Sequence, residues 1–382
     1  MTYHSAMDRA TVGAGAATRR RLVEGALRLP FRTEIVRSRS RFSELAPDWD
    51  ALASLHETPL ALHGWYEAAL EAQSDSNPDL CIPLIWRGNR LVAAAPLMHS
   101  LEAGPCRLVP IDAFTGEPDR IIYCDADALL ALADACAELG EPLLFRRFAA
   151  PQADAIGFAK RLRRHAPGMF RELHRASFVA MPDDFDAFEA SMSKSRRKTI
   201  RRKQKLMDEA GGCELSVFCP AEEEVAPLLE RFARIEDASW KGRAGTSLLG
   251  DPLMAKFVLQ VARTFARTGD TFVTILKIGE EDAAGRVVLQ HGKSWCGIKV
   301  GFDEQFARFA PGIIQMHETL RHAHERGIRN YRFLGVSEDW QNYWPHERRS
   351  DYRLAAYPVS FASCRALLDD AKTAVGSLLR RF

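Results

Sequence analysis

The chain has 382 residues, 47% of them hydrophobic and 27% charged, enough apolar side chains for a full core and length enough for two domains. Its 52 basic and 50 acidic residues leave a formal charge of +2, so no protein-wide field draws in nucleic acid or anionic membrane, and any such attraction is local. Disordered and collagen-like classes are excluded by the same composition.

Residues 1–30 carry "RRR" at 19–21 without an apolar run, and they read as a disordered tail rather than a signal peptide. No stretch approaches the roughly 20 apolar residues of a membrane span, and a cytoplasmic protein is expected. From there, "FRTEIVRS" alternates as a strand does, and "RFSELAPDWDALASL" has helical spacing at Phe42, Leu45, Trp49 and Leu52. "CIPLIWRGNRLVAAAPLMHS" predicts a hairpin turning on Gly88 and Asn89. Strands are expected at 106–111, 120–124 and 142–147, with helices at 128–139 and 152–165.

After the strand "RASFVAMP" comes one unbroken helical stretch from "DDFDAFEASM" to Gly211 and Gly212. Its middle, "SKSRRKTIRRKQK" (193–205), holds eight basic residues in thirteen. Such a run reads as a solvated helix face whose charges partly balance the flanking "DDFDAFE" and "DE", or as a collar for phosphates through residues such as Arg197 and Arg201. No aromatics interleave for single-strand stacking, and the apolar face is thin for a membrane helix, although peripheral contact with acidic lipid stays open. Beyond it follow a strand at 213–219, helices at 223–240 and 252–267, strands at 272–278 and 286–302, a helix at 311–326 and strands at 330–335 and 352–358. The order strand, helix, hairpin, strand, helix occurs twice. It predicts an α/β protein of two related halves, 31–180 and 181–362, with a C-terminal helix over 363–382.

Eight cysteines show neither a CxxC pair nor Cys/His ligand spacing, so no metal site is expected. The phrase "GFDEQFARFAPGIIQMHETLRHAHERG" points elsewhere. Pro311 suits the first turn of a helix and Gly327 its end, while Ala310 at the N-cap has no side-chain oxygen for the free N–H groups. Water or a ligand's phosphate accepts them instead, and Arg308, Phe309, Ala310, Pro311 and Gly312 form the candidate pyrophosphate seat.

Three features, the "S…R…RR" run, "FAPG" before a helix and the aromatic strand "RNYRFLG", resemble the acetyltransferases found beside cellulose and capsule genes. That group is a branch of the GNAT superfamily related to the Fem peptidyltransferases. The resemblance covers about 185–345 and implies tandem GNAT-like domains, each with a mixed, largely antiparallel central sheet flanked by helices. It also implies acyl-CoA as donor and an amine as acceptor, such as an amino sugar or envelope polysaccharide precursor. Two departures stand out: Ala310 replaces the family's serine, and Asn342-Tyr343-Trp344 lacks its lysine. The GNAT phosphate loop survives only as "RFAPG".

Acyl transfer from a thioester needs a base for the amine and donors for the oxyanion. His291 and Asp303, on the strands expected to splay, are candidates for that work, as is Tyr343 where the superfamily often places an acid; each also reads as structural. The basic loop "ASWKGRAGTSL" puts Trp240, Lys241 and Arg243 where the resemblance implies an acceptor groove. Two rival functions remain open at this level: a Fem-like transfer from aminoacyl-tRNA, with tRNA bound by the basic helix, and a non-enzymatic binding protein using residues 193–205.

Overall fold

The computed structural model describes residues 30–101, 104–335 and 337–379; the tail expected over 1–30 falls almost wholly outside them. The first half runs β1 (Phe31–Val36), α1 (Arg39–Glu44), α2 (Ala46–Ala53), α3 (His63–Ala72), β2 (Ile82–Arg87), β3 (Arg90–Ala94), β4 (Leu97–Ser100), β5 (Arg107–Pro110), β6 (Ile122–Tyr123), α4 (Ala126–Glu138), β7 (Leu143–Phe148), α5 (Gln152–Leu162) and β8 (Gly168–Ala180). The second runs α6 (Phe185–Ser191), α7 (Lys194–Glu209), β9 (Cys213–Phe218), α8 (Val225–Asp237), the single turn α9 (Trp240–Arg243), α10 (Pro252–Ala266), β10 (Thr271–Ile278), β11 (Glu281–His291), β12 (Ser294–Phe302), α11 (Pro311–Glu325), β13 (Asn330–Arg332), β14 (Glu347–Ala356) and α12 (Phe361–Leu379).

The helix expected to run unbroken through 192 is two helices. Met192 is extended (φ −66°, ψ 150°) and buried, and the Ser193 side chain then caps α7 by accepting the Arg196 N–H. A serine that can bond the backbone locally starts a helix better than it continues one. The apparent single strand at 286–302 is likewise a hairpin, turning at Gly292 (φ 57°), whose left-handed conformation suits glycine.

Strands from both halves join in one ten-stranded sheet, ordered β4-β5-β7-β14-β8-β13-β12-β11-β10-β9, and a separate four-stranded sheet is ordered β1-β2-β3-β6. Strand β14, assigned by its position in the sequence to the second half, is hydrogen-bonded on both edges by strands of the first, β7 and β8. The sheet is otherwise antiparallel except at two places. β5 runs parallel to β7, and β12 runs parallel to β13. Each parallel pair has a helix in its crossover, α4 in the first half and α11 in the second, which is how tandem GNAT-like units carry a mixed sheet.

One face of the second half's sheet is covered by α6, α7 and α11, with a core of Phe185, Ile200, Phe272, Trp295 and Leu320. The other face meets α8, α10 and the first half's helices in a core that the halves share. There α3 and α10 pack through Trp65 and Phe257, whose rings meet edge to face at 4.9 Å. Gly301 lets α8 lie close on β12, because a Cβ there would stand 2.7 Å from the Glu236 Cα.

Candidate active site

Strands β12 and β13 pair at Ser294–Asn330, Trp295–Tyr331 and Cys296–Arg332, and the ladder then ends. Beyond that point β13 has ended, and β12 runs on to Phe302 with no partner strand on that edge among the described residues. β12 carries a bulge, since Val287 faces Lys299 while Val288 faces Gly297, leaving Ile298 as the extra residue. Bulges of this kind re-aim backbone groups beside active sites. On the other side of the opening, Leu334 (φ 56°) and Gly335 (φ 60°) turn the chain away from the sheet. A left-handed leucine costs about 1–2 kcal/mol, so the surrounding bonds must hold it there.

Those bonds come from the first half. Arg147 on β7 is buried and donates to the carbonyls of Gly116 and Gly335, each at 2.7 Å, and to Asp351 Oδ2 on β14, also at 2.7 Å. Gly335 in turn donates its N–H to Glu117 Oε2 (3.1 Å). Glu117 is thereby fixed at the end of β13, and its carboxyl is pushed above the ordinary range by burial, against the opposing effects of the Gly335 N–H and Arg147. Lys299, across the opening on β12, is held below its usual pKa by burial, with buried Glu236 acting the other way from 4.0 Å.

The far end of β12 leads to the start of α11. Ala310 is left-handed (φ 54°, ψ 52°) and offers no side-chain cap. Its carbonyl nevertheless accepts from Ile313 and Ile314, and Pro311 has no N–H, so Gly312 alone in the first turn keeps a donor without a partner among the described residues. The seat is narrower than the sequence suggests. Within it, Phe309 and Pro311 are buried as packing, while Arg308 is exposed and stacks on the Phe309 ring at 4.5 Å.

The other sequence candidates gather unevenly around this opening. Lys241 donates to the Val300 carbonyl of β12 (2.6 Å) and to Glu236 (2.9 Å), and Arg243 pairs with Glu304 at 2.6 Å. The loop 240–243 is therefore bound to the end of β12, with Trp240 left exposed. Asp303 caps the turn before α11 by accepting the Gln305 N–H (2.9 Å). Tyr343 lies under the Arg196 guanidinium, 5.9 Å from its ring centre, at the start of the basic helix. His291 is not brought in: it sits beside the β11–β12 turn, about 25 Å of strand from the start of α11 at a rise of about 3.3 Å per residue.

The basic helix itself lies against this site. Lys203 donates to the Arg308 carbonyl, and Gln204 to Glu318 of α11 at 3.0 Å. Among the described residues, the acids that precede it form no ion pair with it. Asp183 pairs with Arg329, Glu189 with His317 and Arg321, and among the described residues the helix's own ion pairing is Lys205 with Glu209 at 3.9 Å. Arg201 is exposed, whereas Arg197 is half-buried with its Nε unpartnered.

Comparison with known proteins agrees with this geometry. Residues 194–342 match the acetyltransferase (GNAT) domain family. The protein has the GNAT/FemAB-related fold and is a transferase. Among solved structures, FemX superposes with a TM-score of 0.56 at 12% identity, covering 85% of this chain and 97% of that one. A second, described as the C-terminal domain of a putative lysylphosphatidylglycerol synthetase from Agrobacterium fabrum, gives 0.51 at 11% identity, over 86% of this chain and 96% of that one. No curated protein matches the chain. Sequence reasoning missed Glu117, Arg147 and Arg332; the visible signal was charge inside otherwise apolar strands, as in "FRRF" and "NYRFLG".

Proposed function

We infer that the protein is an N-acyltransferase that moves an acyl group from acyl-CoA to an amine, with the donor lying in the opening between β12 and β13. The observation that carries this reading is the end of the β12–β13 ladder at Cys296–Arg332, which leaves that edge of β12 without a partner strand beside the Ile298 bulge and ahead of the unpartnered Gly312 N–H. The donor's pyrophosphate takes the Gly312 N–H and the Arg308 guanidinium at the positive end of α11. Its acyl arm extends along β12 to the bulge, where a freed main-chain N–H receives the thioester oxygen.

The acceptor amine reacts only when neutral. Glu117, ionised, takes the proton as the nitrogen attacks the thioester carbon; the C–S bond then breaks, and the departing thiolate takes up a proton to give free CoA. Because a thioester is already reactive, holding two substrates in line supplies much of the rate. The acceptor is an amino sugar or another envelope or polysaccharide precursor, met in the cytoplasm. Calorimetry with acetyl-CoA and longer acyl-CoAs tests the donor, and an absence of binding at millimolar concentration rejects it.

A second reading, transfer from aminoacyl-tRNA, is favoured by one observation: α7 holds most of its basic side chains exposed and almost without ion pairs among the described residues, beside the proposed donor seat. Binding to tRNA then weakens steeply with salt as counterions are released, and salt-insensitive or absent binding excludes it. Among the described residues no helix is long and apolar enough to cross a membrane.

A further inference from the structure

Where the two halves meet, a cavity of about 430 Å³ opens next to the end of β13. Its wall holds three arginines from three separate segments: Arg120 before β6, Arg332 on β13 and Arg349 on β14. Arg120 and Arg332 each keep a buried Nε without a hydrogen-bond partner, and neither forms an ion pair among the described residues. Arg349 stacks over the Phe178 ring at 5.2 Å and forms the exposed rim.

Like charges gathered in this way are unfavourable without a counter-charge. Burial first, and Arg332 second, lower the pKa of both Arg120 and Arg349. The nearby acids are engaged elsewhere or face outward. Asp351 is bound by Arg147, Asp119 accepts the Arg147 main-chain N–H at 2.7 Å, and Glu57 is exposed at the rim. His56 is held neutral, its pKa pushed down to about 4 by burial and by Arg120, and its Nε2 accepts the Tyr123 N–H. The Tyr123 hydroxyl is bound to Asp154. Ile121 and Leu334 supply apolar wall.

We propose that this cavity binds the acceptor by an oxyanion, a phosphate or a carboxylate carried on the same molecule as the reacting amine, through Arg120, Arg332 and Arg349. This rests on the transferase reading above and adds the acceptor's chemical class. Guanidinium forks match both anions in two-bond geometry. Position supports the assignment. Arg332 pairs with Cys296 in the last rung of the β12–β13 ladder, and Glu117 directly precedes Pro118 of the cavity wall. An amine tethered to an anion held here faces both the carboxylate base and the donor's opening. Strain agrees as well: of the four non-glycine residues with positive φ among those described, Glu57 and Leu334 line this cavity and Ala310 starts the donor seat.

The test uses the full chain, first saturated with acetyl-CoA so that the Gly312 seat is filled, and titrated with inorganic phosphate, phosphoethanolamine and β-alanine. Saturable binding of at least one is expected, with phosphoethanolamine favoured by a phosphate site and β-alanine by a carboxylate site. Arg332→Gln and Arg349→Gln should each raise the dissociation constant at least tenfold, with acetyl-CoA binding within about threefold of wild type. Lys160→Gln, on the exposed end of α5, should change neither. Should Arg332→Gln fail to fold, the rim variant Arg349→Gln carries the test. No binding of any probe, or binding that both arginine variants leave intact, overturns the proposal. Loss of acetyl-CoA binding with oxyanion binding preserved would overturn the donor reading instead, leaving the cavity assignment standing.

Discussion

The two crossover helices, α4 in the first half and α11 in the second, begin in opposite ways. At α4 the Asp125 side chain accepts the Ala128 N–H at 2.8 Å, and Arg87 donates to the same carboxylate at 2.9 and 3.3 Å. The positive helix end already has its anion, and the anion has its own cation. At α11 the corresponding position is Ala310, with no side-chain oxygen, and Gly312 keeps its N–H free. The two crossover helices thus differ in capping: α4 satisfies its own end, and α11 leaves the Gly312 N–H without a partner among the described residues. Capping chemistry decides this, since both helices join parallel strands in the same sheet.

The contrast breaks most completely at Arg147, which holds the first half's loop onto the second half's opening. Arg147→Met removes the bonds that this guanidinium makes to Gly116, Gly335 and Asp351, and the loss should be about 3 kcal/mol in denaturant unfolding. Glu117→Gln removes the proposed base. Its kcat/KM should fall by about 10²–10⁴ with the fold intact by circular dichroism. The sign of the pH dependence follows from the raised carboxyl: the wild-type rate is full where Glu117 is ionised and falls as pH drops through its elevated pKa. The variant's profile should lack that acid limb.

Gly312→Asp places a carboxylate beside the open helix end, where it repels the phosphates of the proposed donor. A Cβ there meets Phe302 at an ordinary 3.5 Å, so the chain should fold, while the KM for acetyl-CoA rises about tenfold or more. The smallest effect is expected from the reverse change. Asp125→Ala should cost about 1 kcal/mol of stability, read as a lower Tm, and leave the donor KM unmoved. A shift in that KM would mean that the first crossover also meets the donor.

Hydrophobic spacing makes most elements of both halves legible in the amino-acid sequence, including α11 from Pro311 to the Gly327 turn and the hairpin at Gly88 and Asn89. The join between the halves is not legible there. Arg147 reaches Gly335 and Asp351 across 188 and 204 residues of sequence, and no local pattern encodes such a pairing. The missing side-chain cap at Ala310 is readable because it is a local fact. Hidden from the sequence is the left-handed turn at Ala310, which brings its carbonyl back to two of the free N–H groups. The basic run is equally visible, yet two of the four carboxylates of "DDFDAFE" expected to balance part of its charge, Asp183 and Glu189, pair instead with Arg329, His317 and Arg321, which come more than a hundred residues later.

Strand β14, seated between β7 and β8, bears on the order in which the molecule can form. Until residue 356 has been synthesised, the first half presents two strand edges with unpaired N–H and C=O groups, the kind of surface that recruits other chains. Folding from the N-terminus as the chain emerges therefore stops short of completion, and the last strand closes both halves together. A fragment ending after the acetyltransferase match at residue 342 keeps α11 but loses Asp351, one of the three anchors of Arg147. Its exposed edges should lead it to aggregate rather than to act as a small independent enzyme.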